Sequence, residues 1–397
     1  KKKIQQAAKA TVLGANTIET INQLTKDSII IADIEGIDPS KAADDLEMAP
    51  LSNEDKAKTY LSVLQASDIG TVNKISAEAK SGLQTISLNH VPDLVNQVVH
   101  NRIAGVAAGD ESSKIEKGLW IRGLHGTISQ EGYKGLSSYN GKSSGVTIGG
   151  DIEFDNSLLL GAAFSDIRST FKFGDDKAGD KVKARSKVFS LYGKRDLTDR
   201  VQLSGVVSLV KSNIKMKTQK TIGNNKKKTA SAKYTTNGLT ANAKIAYNKQ
   251  FENGIALTPF IGLNYSKNTD SSFSETGVGV HNLSVSGKKS QYLTGRLGGA
   301  VRFKQVFAGN VGITPTLEIS VDQLLSSKSD SLAAKLNWNN KTFENKVDVK
   351  QSQKTAVNLG GSLNFTHKNI DLMASYGTTM KRKYQSHQGT VKLRINF

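Results

Sequence analysis

Hydrophobic and polar positions alternate strictly over residues 389–397 of the chain. Val391, Leu393, Ile395 and Phe397 fall on one face of an extended segment, and the intervening Thr, Lys, Arg and Asn fall on the other. This period of two predicts a β-strand with one apolar and one polar face. A final aromatic residue on such a strand is typical of outer-membrane barrels, although an amphipathic edge strand of a soluble sandwich alternates in the same way.

The same alternation recurs in eleven further segments that begin at Gly118, which predicts twelve strands in all. The repeats are about 9–12 residues long, the length that a tilted strand needs to cross a bilayer. Tight turns are predicted at 155–156, 197–199, 252–254, 308–310 and 367–369, and long polar loops at 131–143, 174–180, 221–231, 269–281 and 325–345. Short turns at one end and long loops at the other are typical of outer-membrane barrels.

An even number of antiparallel strands can close into a ring that leaves no unpaired edge. Tyr247, Tyr265 and Tyr376 fall near strand ends, as does Phe397, and this placement suits an aromatic girdle. The sequence therefore predicts a mainly β fold in which residues 118–397 form a 12-stranded antiparallel transmembrane β-barrel. Its apolar rows would face lipid and its polar rows would line a channel.

Before the strands, the apolar residues recur at steps of three and four, which predicts helices. Residues 1–90 would form either a small helical bundle or a solvated stalk. The pattern of residues 91–117 predicts a single helix. Pro92 suits the first turn, Asp93 suits the N-terminus of a helix and Gly109 suits its C-terminal end. About 17 helical residues span roughly 25 Å, so we expect this linker helix to cross the barrel lumen. Packing as an ordinary amphipathic helix on a neighbour explains the same pattern.

The chain has 397 residues, no cysteine and a formal charge of +19. Residues 1–117 hold 13 basic and 16 acidic side chains, whereas residues 118–397 hold 41 and 19. A basic segment can bind nucleic acid or the phosphates of lipid headgroups, but these basic patches lack interleaved aromatic residues that would stack on bases. The lysines of 226–228 suit either a solvated loop tip or a contact to the phosphates of an outer-leaflet glycolipid.

The absence of cysteine excludes thiolate metal sites and cysteine nucleophiles, and it suits a chain that stays unfolded while it crosses an oxidising periplasm. No run of about 18 apolar residues predicts a membrane-spanning helix. Residues 1–7 are too polar for the apolar core of a signal peptide. We therefore expect the chain to be the C-terminal part of a longer precursor.

Little in the sequence indicates catalysis. The six histidines lack zinc-ligand spacing, no nucleophile elbow precedes a helix, and the Gly-Lys-Ser of 141–143 has the wrong spacing for a P-loop. We expect no metal, no cofactor and no enzyme activity. One reaction stays open: Asn96 or Asn101 of the linker helix could cyclise and cleave the backbone beside a carboxylate, although both asparagines also suit simple solvation of that helix. The inward-facing candidates for the carboxylate are Glu153, Glu318 and Asp371.

The polar rows predict a charged inner wall. Alternation places these ionisable side chains on the lumen side of their strands: Glu153, Lys244, Arg296, Arg302, Glu318, Asp371, Lys392 and Arg394. Together with the Thr and Asn residues of the same rows, they would keep the passage hydrated.

Three segments together resemble the translocator domain of type V autotransporters. They are the end of the linker helix at 100–104, the opening strand at 118–122 and the closing segment 383–397, which is most similar to the rickettsial surface cell antigens. The resemblance covers residues 90–397, and its most specific features are Phe397 and the order of one helix before twelve strands.

The resemblance implies an outer-membrane translocator that anchors its N-terminal passenger and exports it to the cell surface, with residues 1–90 as the end of that passenger. The implied partners are outer-membrane lipid and lipopolysaccharide, the barrel assembly machinery, the passenger itself and, through the passenger, the host-cell surface or actin, but not nucleic acid. Passengers of this family act in adhesion, invasion or actin assembly, although most are β-helical, whereas the pattern of residues 1–90 predicts α-helices. The assembly machinery would recognise the outward row of the last strand: Gly389, Val391, Leu393, Ile395 and Phe397.

An alternative function shares the same barrel. A passive porin, or an outer-membrane adhesin whose extracellular loops bind the host, would have the same alternating strands and long loops. The two functions differ in whether the lumen is closed by the linker helix, so conductance through the lumen distinguishes them.

Overall fold

The computed structural model describes residues 116–132, 137–154, 157–222, 226–279, 282–330, 332–338, 341–347 and 354–397. These residues form eighteen β-strands and one 3₁₀ turn, Asp175–Lys177. In chain order the strands are β1 Glu116–Gln130, β2 Tyr139–Phe154, β3 Leu158–Phe173, β4 Lys181–Asp196, β5 Val201–Ile222, β6 Lys226–Tyr247, β7 Lys249–Gln250, β8 Ala256–Asp270, β9 Phe273–Ser274, β10 Ser284–Val285, β11 Lys288–Arg302, β12 Val306–Ala308, β13 Val311–Ser329, β14 Leu332–Trp338, β15 Lys341–Val347, β16 Thr355–His367, β17 Ile370–Lys381 and β18 Tyr384–Asn396.

The twelve long strands, which are all but β7, β9, β10, β12, β14 and β15, form a closed antiparallel barrel. Each pairs with the next long strand in the chain, β8 pairs with β11, and the ring closes where β1 pairs with β18. At this seam the pairing begins with Gly118 opposite Asn396. Lys117 and Phe397 add two backbone hydrogen bonds of 3.0 and 3.2 Å. The predicted 12-stranded antiparallel barrel is confirmed.

An exposed apolar belt surrounds the outside of the barrel. On β2, Ile148 is 58% exposed, whereas its neighbour Thr147, which points inward, is fully buried. The same alternation continues to β18, where Phe397 after the strand end is 69% exposed. Apolar side chains exposed in continuous rows on every long strand are suited to contact acyl chains, because a water-soluble sheet would bury them.

The two ends of the barrel differ in their connections. The turn end carries short connections, such as 155–157, 197–200 and 368–369, and the loop end carries the longest ones, 271–287 and 330–354. Aromatic side chains of the belt lie towards both ends. Tyr247 and Phe397 are near the turn end, and Tyr265 and Tyr376 are the last belt residues towards the loop end. Short turns face the periplasm in barrels of this kind, which makes the loop end the extracellular end.

Two predicted loops are partly strand. Residues 221–231 were expected to be a polar loop, but β5 and β6 pair continuously from Val201 opposite Tyr247 to Ile222 opposite Lys226. Each strand satisfies the backbone of the other beyond the end of its barrel neighbours, which a polar, lysine-rich sequence does not reveal. Within 325–345, β13 continues to Ser329, and β14 and β15 join β9 and β10 in a separate four-stranded sheet.

Several predictions fall outside the described residues. These are the helical segment 1–90, nearly all of the linker helix 91–117, and the turn at 155–156. Glu116 and Lys117, which the sequence assigns to the linker, are the first two residues of β1. Within the part of the chain that the structure describes, no helix is long and apolar enough to cross a membrane.

The inner face of the barrel is mixed, which corrects the expectation of a uniformly polar wall. Two apolar clusters are buried on the inward side of β1 and β3–β6. The middle cluster consists of Trp120, Leu124, Leu159, Ala163, Ile167, Val188, Tyr192, Val206 and Val210. The loop-end cluster consists of Ile128, Phe171, Phe173, Val182, Ala184, Ile214, Met216, Ala232, Tyr234, Phe273 and Val285. In this sector the side chains pack against one another and not against water.

Candidate functional site

The candidate site is the inner wall of the barrel, where polar side chains are buried behind the apolar belt. Hydroxyl groups on neighbouring strands bond to each other across the ladder. The pairs are Ser143–Ser169, Thr147–Ser165 and Ser190–Ser208, each at 2.8 Å, and Ser186–Ser212 at 2.7 Å. A hydroxyl can both donate and accept, so these pairs satisfy buried groups without charge.

A network of four buried side chains crosses the seam. Arg394 on β18 pairs with Asp151 on β2, with 2.9 Å between Nη1 and Oδ1. The other oxygen of Asp151 accepts a hydrogen bond from the Tyr192 hydroxyl at 2.8 Å. That hydroxyl in turn accepts one from the Trp120 indole at 2.8 Å. We call Trp120, Asp151, Tyr192 and Arg394 the seam network, since they connect β18, β1, β2 and β4.

Two glycines let the seam network form. A Cβ on Gly118 would lie 2.5 Å from Nη2 of Arg394, which passes over β1 at this residue on its way to Asp151. A Cβ on Gly149 would collide with the indole of Trp120. Each glycine leaves the inner wall without a side chain at the point where a long side chain from the adjacent strand crosses it.

Two further ion-pair groups lie on the inner wall. Lys194 Nζ is 3.5 Å from Glu153 and 3.6 Å from Asp196, and the lysine side chain is almost fully buried. Arg296 makes a bidentate pair with Asp322 at 2.6 and 2.7 Å. Buried charges are retained only when they are paired and hydrogen-bonded, and both groups meet that condition.

The predicted lumen residues occupy different surroundings on the inward side of their strands. Glu153 and Arg394 are buried within the ion-pair groups described above, and Lys392 is also buried. Lys244 Nζ lies 4.9 Å from the ring centre of Phe260, in cation–π contact. Asp371 accepts a hydrogen bond from Asn396 at 3.2 Å. Arg302 and Glu318 are half-buried. That these groups line a hydrated passage stays a prediction.

Sequence reasoning missed the partners that organise the inner wall. Asp151, Tyr192 and Asp322 are each bonded to a charged or aromatic side chain on another strand. Asp151 and Arg394 are far apart in the chain and meet only because the barrel closes. The spacing of residues along one strand does not predict such a contact. The pairing register of β1 with β18, once known, does predict it.

A cover lies over the loop end of the lumen. Residues 271–279 and 282–287, which we call the loop cover, turn Phe273 inward to stack on Tyr234 with ring centres 4.8 Å apart. Glu275 of the cover pairs with Lys220 of β5 at 3.1 Å. An aromatic stack, a buried ion pair and backbone hydrogen bonds between Thr276 and Ser231 therefore hold the cover to the barrel. The chain itself thus covers part of the extracellular end of the inner wall.

Lys177 and Asp180, in the connection between β3 and β4, form a buried ion pair at 3.5 Å. Burial lowers the pKa of Lys177 to about 8, in spite of the opposing effect of Asp180. Burial also raises the pKa of Asp180 above its usual value. For both groups the loss of hydration outweighs their mutual attraction.

The row expected to act as an assembly signal lies on the outside of β18. Val391, Leu393, Ile395 and Phe397 are exposed, and Gly389 is half-buried between them and the loop end. They form a single lipid-facing row next to the seam. Recognition by an assembly partner stays a prediction.

The proposed self-cleavage has no geometry to support it. Asn96 and Asn101 lie outside the described residues. Of the three suggested helper carboxylates, Glu153 is engaged by Lys194, and Asp371 is engaged by Asn396. Among the described residues there is no group of three or more His, Asp or Glu side chains that could hold a metal ion.

Comparison with known proteins gives a family. A model described as the autotransporter beta-domain matches residues 119–377. A putative surface cell antigen, sca1, from Rickettsia conorii is 32% identical over 84% of this chain and 18% of its own length. Outer membrane protein A from Rickettsia rickettsii is 30% identical over 88% of this chain and 16% of its own length. The chain thus spans less than a fifth of the length of these relatives.

Solved structures agree on the fold. The translocator domain of the autotransporter NalP from Neisseria meningitidis has a TM-score of 0.58, with 16% identity over 78% of this chain and 98% of that domain. The transport unit of AIDA-I from Escherichia coli has a TM-score of 0.52, with 12% identity over 82% of this chain and 99% of that unit. At such low identity these likenesses describe the architecture alone.

Proposed function

Since this chain belongs to the autotransporter beta-domain family, we propose that its inner wall is the route by which an N-terminal passenger leaves the cell. The barrel is an outer-membrane translocator, and the passenger that it exports stands at the cell surface. The observation that supports the proposal is the family match over 119–377, which runs from β1 into β17 of a closed ring.

The geometry suggests that the outer and inner faces of the barrel have different roles. The apolar belt anchors the barrel, because its exposed rows exchange water for acyl chains. The seam network and the hydroxyl pairs hold the ring closed from within while leaving no unpaired strand edge. The pore itself supplies no energy. The linker predicted from the sequence, without Glu116 and Lys117 of β1, would cross the lumen after export and close it.

Export can be tested on whole cells. The chain would be expressed behind a cleavable signal peptide with an epitope placed before residue 1, and antibody binding to intact cells would be measured. We expect the epitope to be accessible. A matched protein without residues 384–397 lacks β18, cannot close the ring, and should leave the epitope inside. An epitope that stays inaccessible while the barrel shows the heat-dependent gel mobility of a folded barrel would overturn the proposal.

Conductance separates a plugged translocator from a porin. The intact chain in a planar bilayer should conduct weakly, and deletion of residues 91–112 should open a stable channel of much larger conductance. A porin would conduct equally well before and after the deletion, because its lumen does not depend on the linker. Equal and large conductance of both proteins is therefore the result that would favour the alternative.

The partners beyond the membrane rest on the family alone. We propose that the barrel assembly machinery recognises the outward row of β18, from Gly389 to Phe397, because this row is the exposed apolar face of the last strand in the chain. We propose that the passenger acts in adhesion, invasion or actin assembly at the host surface, in keeping with relatives named as surface cell antigens. No catalytic role is proposed for the barrel.

A further inference from the structure

The outer surface of β4 and β5 changes character sharply at the loop-end edge of the apolar belt. On β4 the exposed Phe189 is followed, two residues nearer the loop end, by Lys187, and on β5 the exposed Leu209 is followed by Lys211. From these two lysines towards the loop end, and with the two included, seven of the eight outward positions in 181–187 and 211–217 are Lys or Arg. We call these seven side chains, together with Arg168 on β3, the basic face.

The register of the sheet fixes like charges directly opposite each other on the basic face. Four such pairs occur: Arg168 opposite Arg185, Lys187 opposite Lys211, Lys183 opposite Lys215 and Lys181 opposite Lys217. Side chains directly opposite on neighbouring strands stand about 5 Å apart at Cβ, and like charges there destabilise the sheet. An anionic group from outside the sheet would relieve this repeated unfavourable arrangement.

The sheet itself supplies little neutralisation. On the outward side of β3–β5 beyond the belt, Asp166 is the one acidic residue among those described. It pairs with Arg185 at 2.6 Å. The Arg185 side chain still exposes 53% of its surface, so one carboxylate leaves a large excess of positive charge at the membrane edge.

The opposite half of the barrel shows that this charge is local. There the first outward polar residues beyond the belt are uncharged or weakly basic: His125, Gln291, Gln323, Thr355, Thr378 and His387. The apolar belt is equally exposed on that half, with Leu297 at 67% and Leu317 at 56%. A general requirement for solubility at the loop end would affect all strands alike, whereas a bound ligand affects one sector.

We propose that the basic face binds the phosphate groups of the glycolipid that forms the outer leaflet of the outer membrane. Acyl chains that contact Phe189 and Leu209 belong to the same molecules whose headgroups reach the edge of the belt. The phosphates of such a lipid therefore stand beside Lys187 and Lys211, and little additional translational or rotational freedom is lost when they bind. Lys and Arg near an anionic lipid surface each strengthen attachment. The inference rests on the membrane placement of the barrel and not on export of a passenger.

Binding of a fluorescent diphosphorylated lipid A to the full chain in neutral detergent micelles at 0.15 M salt tests the proposal. The same lipid without phosphates is the comparison ligand, and inorganic phosphate is the competitor. We expect the phosphorylated lipid to bind at least tenfold more tightly than its phosphate-free form. Inorganic phosphate at millimolar concentration should not displace it. Equal binding of the two lipids, or full displacement by free phosphate, would overturn the proposal.

Matched charge variants locate the site. Lys183→Gln, Lys187→Gln and Lys211→Gln together should weaken binding roughly 100-fold, because each basic side chain near an anionic lipid surface contributes about fivefold. The control is a second triple variant that replaces three exposed lysines of the other half, Lys289, Lys328 and Lys354, by Gln. Its affinity should match that of the unchanged chain. Heat-dependent gel mobility confirms that both variants are folded, and an equal loss in both would refute a local site.

Removal of the single outward carboxylate, Asp166, should change the lipid affinity in the opposite direction. Asp166→Asn removes the negative charge that pairs with Arg185, so the net positive charge of this surface rises by one. Lipid binding should therefore tighten about fivefold. A structural role of these side chains without ligand binding predicts no gain in affinity from this change. Unchanged or weaker binding would count against the proposal.

Discussion

At the scale of single residues, the inner wall depends on positions where a side chain is missing. Gly118 leaves room for the Arg394 guanidinium to cross β1 and reach Asp151. Both charged groups are nearly fully buried, with 5% and 0% of the side chains exposed. A buried ion pair adds little net stability, but separating the two charges leaves each without its partner in a poorly hydrated place. The glycine is therefore an indirect determinant of the seam.

Replacement of Gly118 by Ala should separate this pair. The new methyl group would displace the end of the arginine side chain, and we expect the free energy of unfolding to fall by about 3 kcal/mol. Urea unfolding of the barrel in lipid vesicles measures the change. Gly123→Ala on the same strand is the control, because nothing lies within 4 Å of its added Cβ. A loss of similar size in both variants would show that strand glycines matter for backbone reasons alone.

The buried Lys177 gives the β3–β4 connection a pH dependence with a definite sign. Its pKa is about 8 in the folded loop, against an ordinary value of 10.5, so between these values the unfolded loop binds the extra proton. Local stability should therefore rise with pH over this interval, by about 3 kcal/mol at most. Asp180, Lys220 and Glu275 face the same ammonium group.

Rates of subtilisin cleavage within 174–180 at pH 8 and pH 10 would measure this effect. The native loop should become more protected at the higher pH, after correction for the activity of the protease on an unstructured peptide. Lys177→Met removes the titrating group and should make protection independent of pH. The same pH response in both proteins would mean that another group titrates.

At the scale of elements, strands are joined by small hydroxyl pairs as well as by the backbone. Ser190 and Ser208 are fully buried and bond to each other across β4 and β5 at 2.8 Å. Removal of one hydroxyl leaves the other unsatisfied, whereas removal of both leaves two methyl groups in contact. The pair should therefore behave as a unit.

A double-mutant cycle tests this coupling. Ser190→Ala and Ser208→Ala should each lower the free energy of unfolding by about 1–2 kcal/mol, and the double variant should lose no more than either single one. The exposed Ser274–Ser284 pair at 2.9 Å is the control, since water can replace its hydrogen bond, and both single changes there should be near neutral. Additive losses at Ser190 and Ser208 would show that the hydroxyls contribute independently.

The elements also show how far the sequence alone reaches. The outward rows, the strand count and the closing strand follow from a period of two, which is a local property and was readable from the residues. The long pairing of β5 with β6 was not, because the polar residues 221–222 and 226–231 are extended only through pairing between the two strands. The contacts of Asp151 were not readable either, since they depend on which strands the ring brings together.

The inward apolar clusters were partly visible in the sequence. Leu158, Leu159 and Leu160 place apolar side chains on both faces of β3, and Leu159 is fully buried in the middle cluster. A run that is apolar on both faces indicates a strand with packing on both sides. The pattern thus carried the signal for a packed inner wall, but the alternation in neighbouring strands favoured the interpretation of a polar channel.

At the scale of the whole molecule, the barrel is asymmetric along its axis. The turn end of the inner wall holds the seam network and the Lys194 group, which are polar and paired. The loop end holds an apolar cluster closed by the loop cover through Phe273 and Val285. Apolar side chains at a constriction disfavour water and hydrated ions, so the cover should reduce the conductance of the lumen without blocking it, in addition to any effect of residues 91–112.

Opening the cover tests this independence. Phe273→Ser with Val285→Ser removes two apolar side chains that tie the cover to Tyr234 and its neighbours, and water should then enter the loop-end cluster. In a protein without residues 91–112, we expect this double change to raise the conductance in planar bilayers above that of the same deletion with the cover unchanged. Phe307→Ser is the control, because this side chain is 72% exposed at the turn end and contacts no part of the cover. If the double variant and the control conduct equally when residues 91–112 are deleted from both, the cover has no gating role and the lumen is closed by the linker alone.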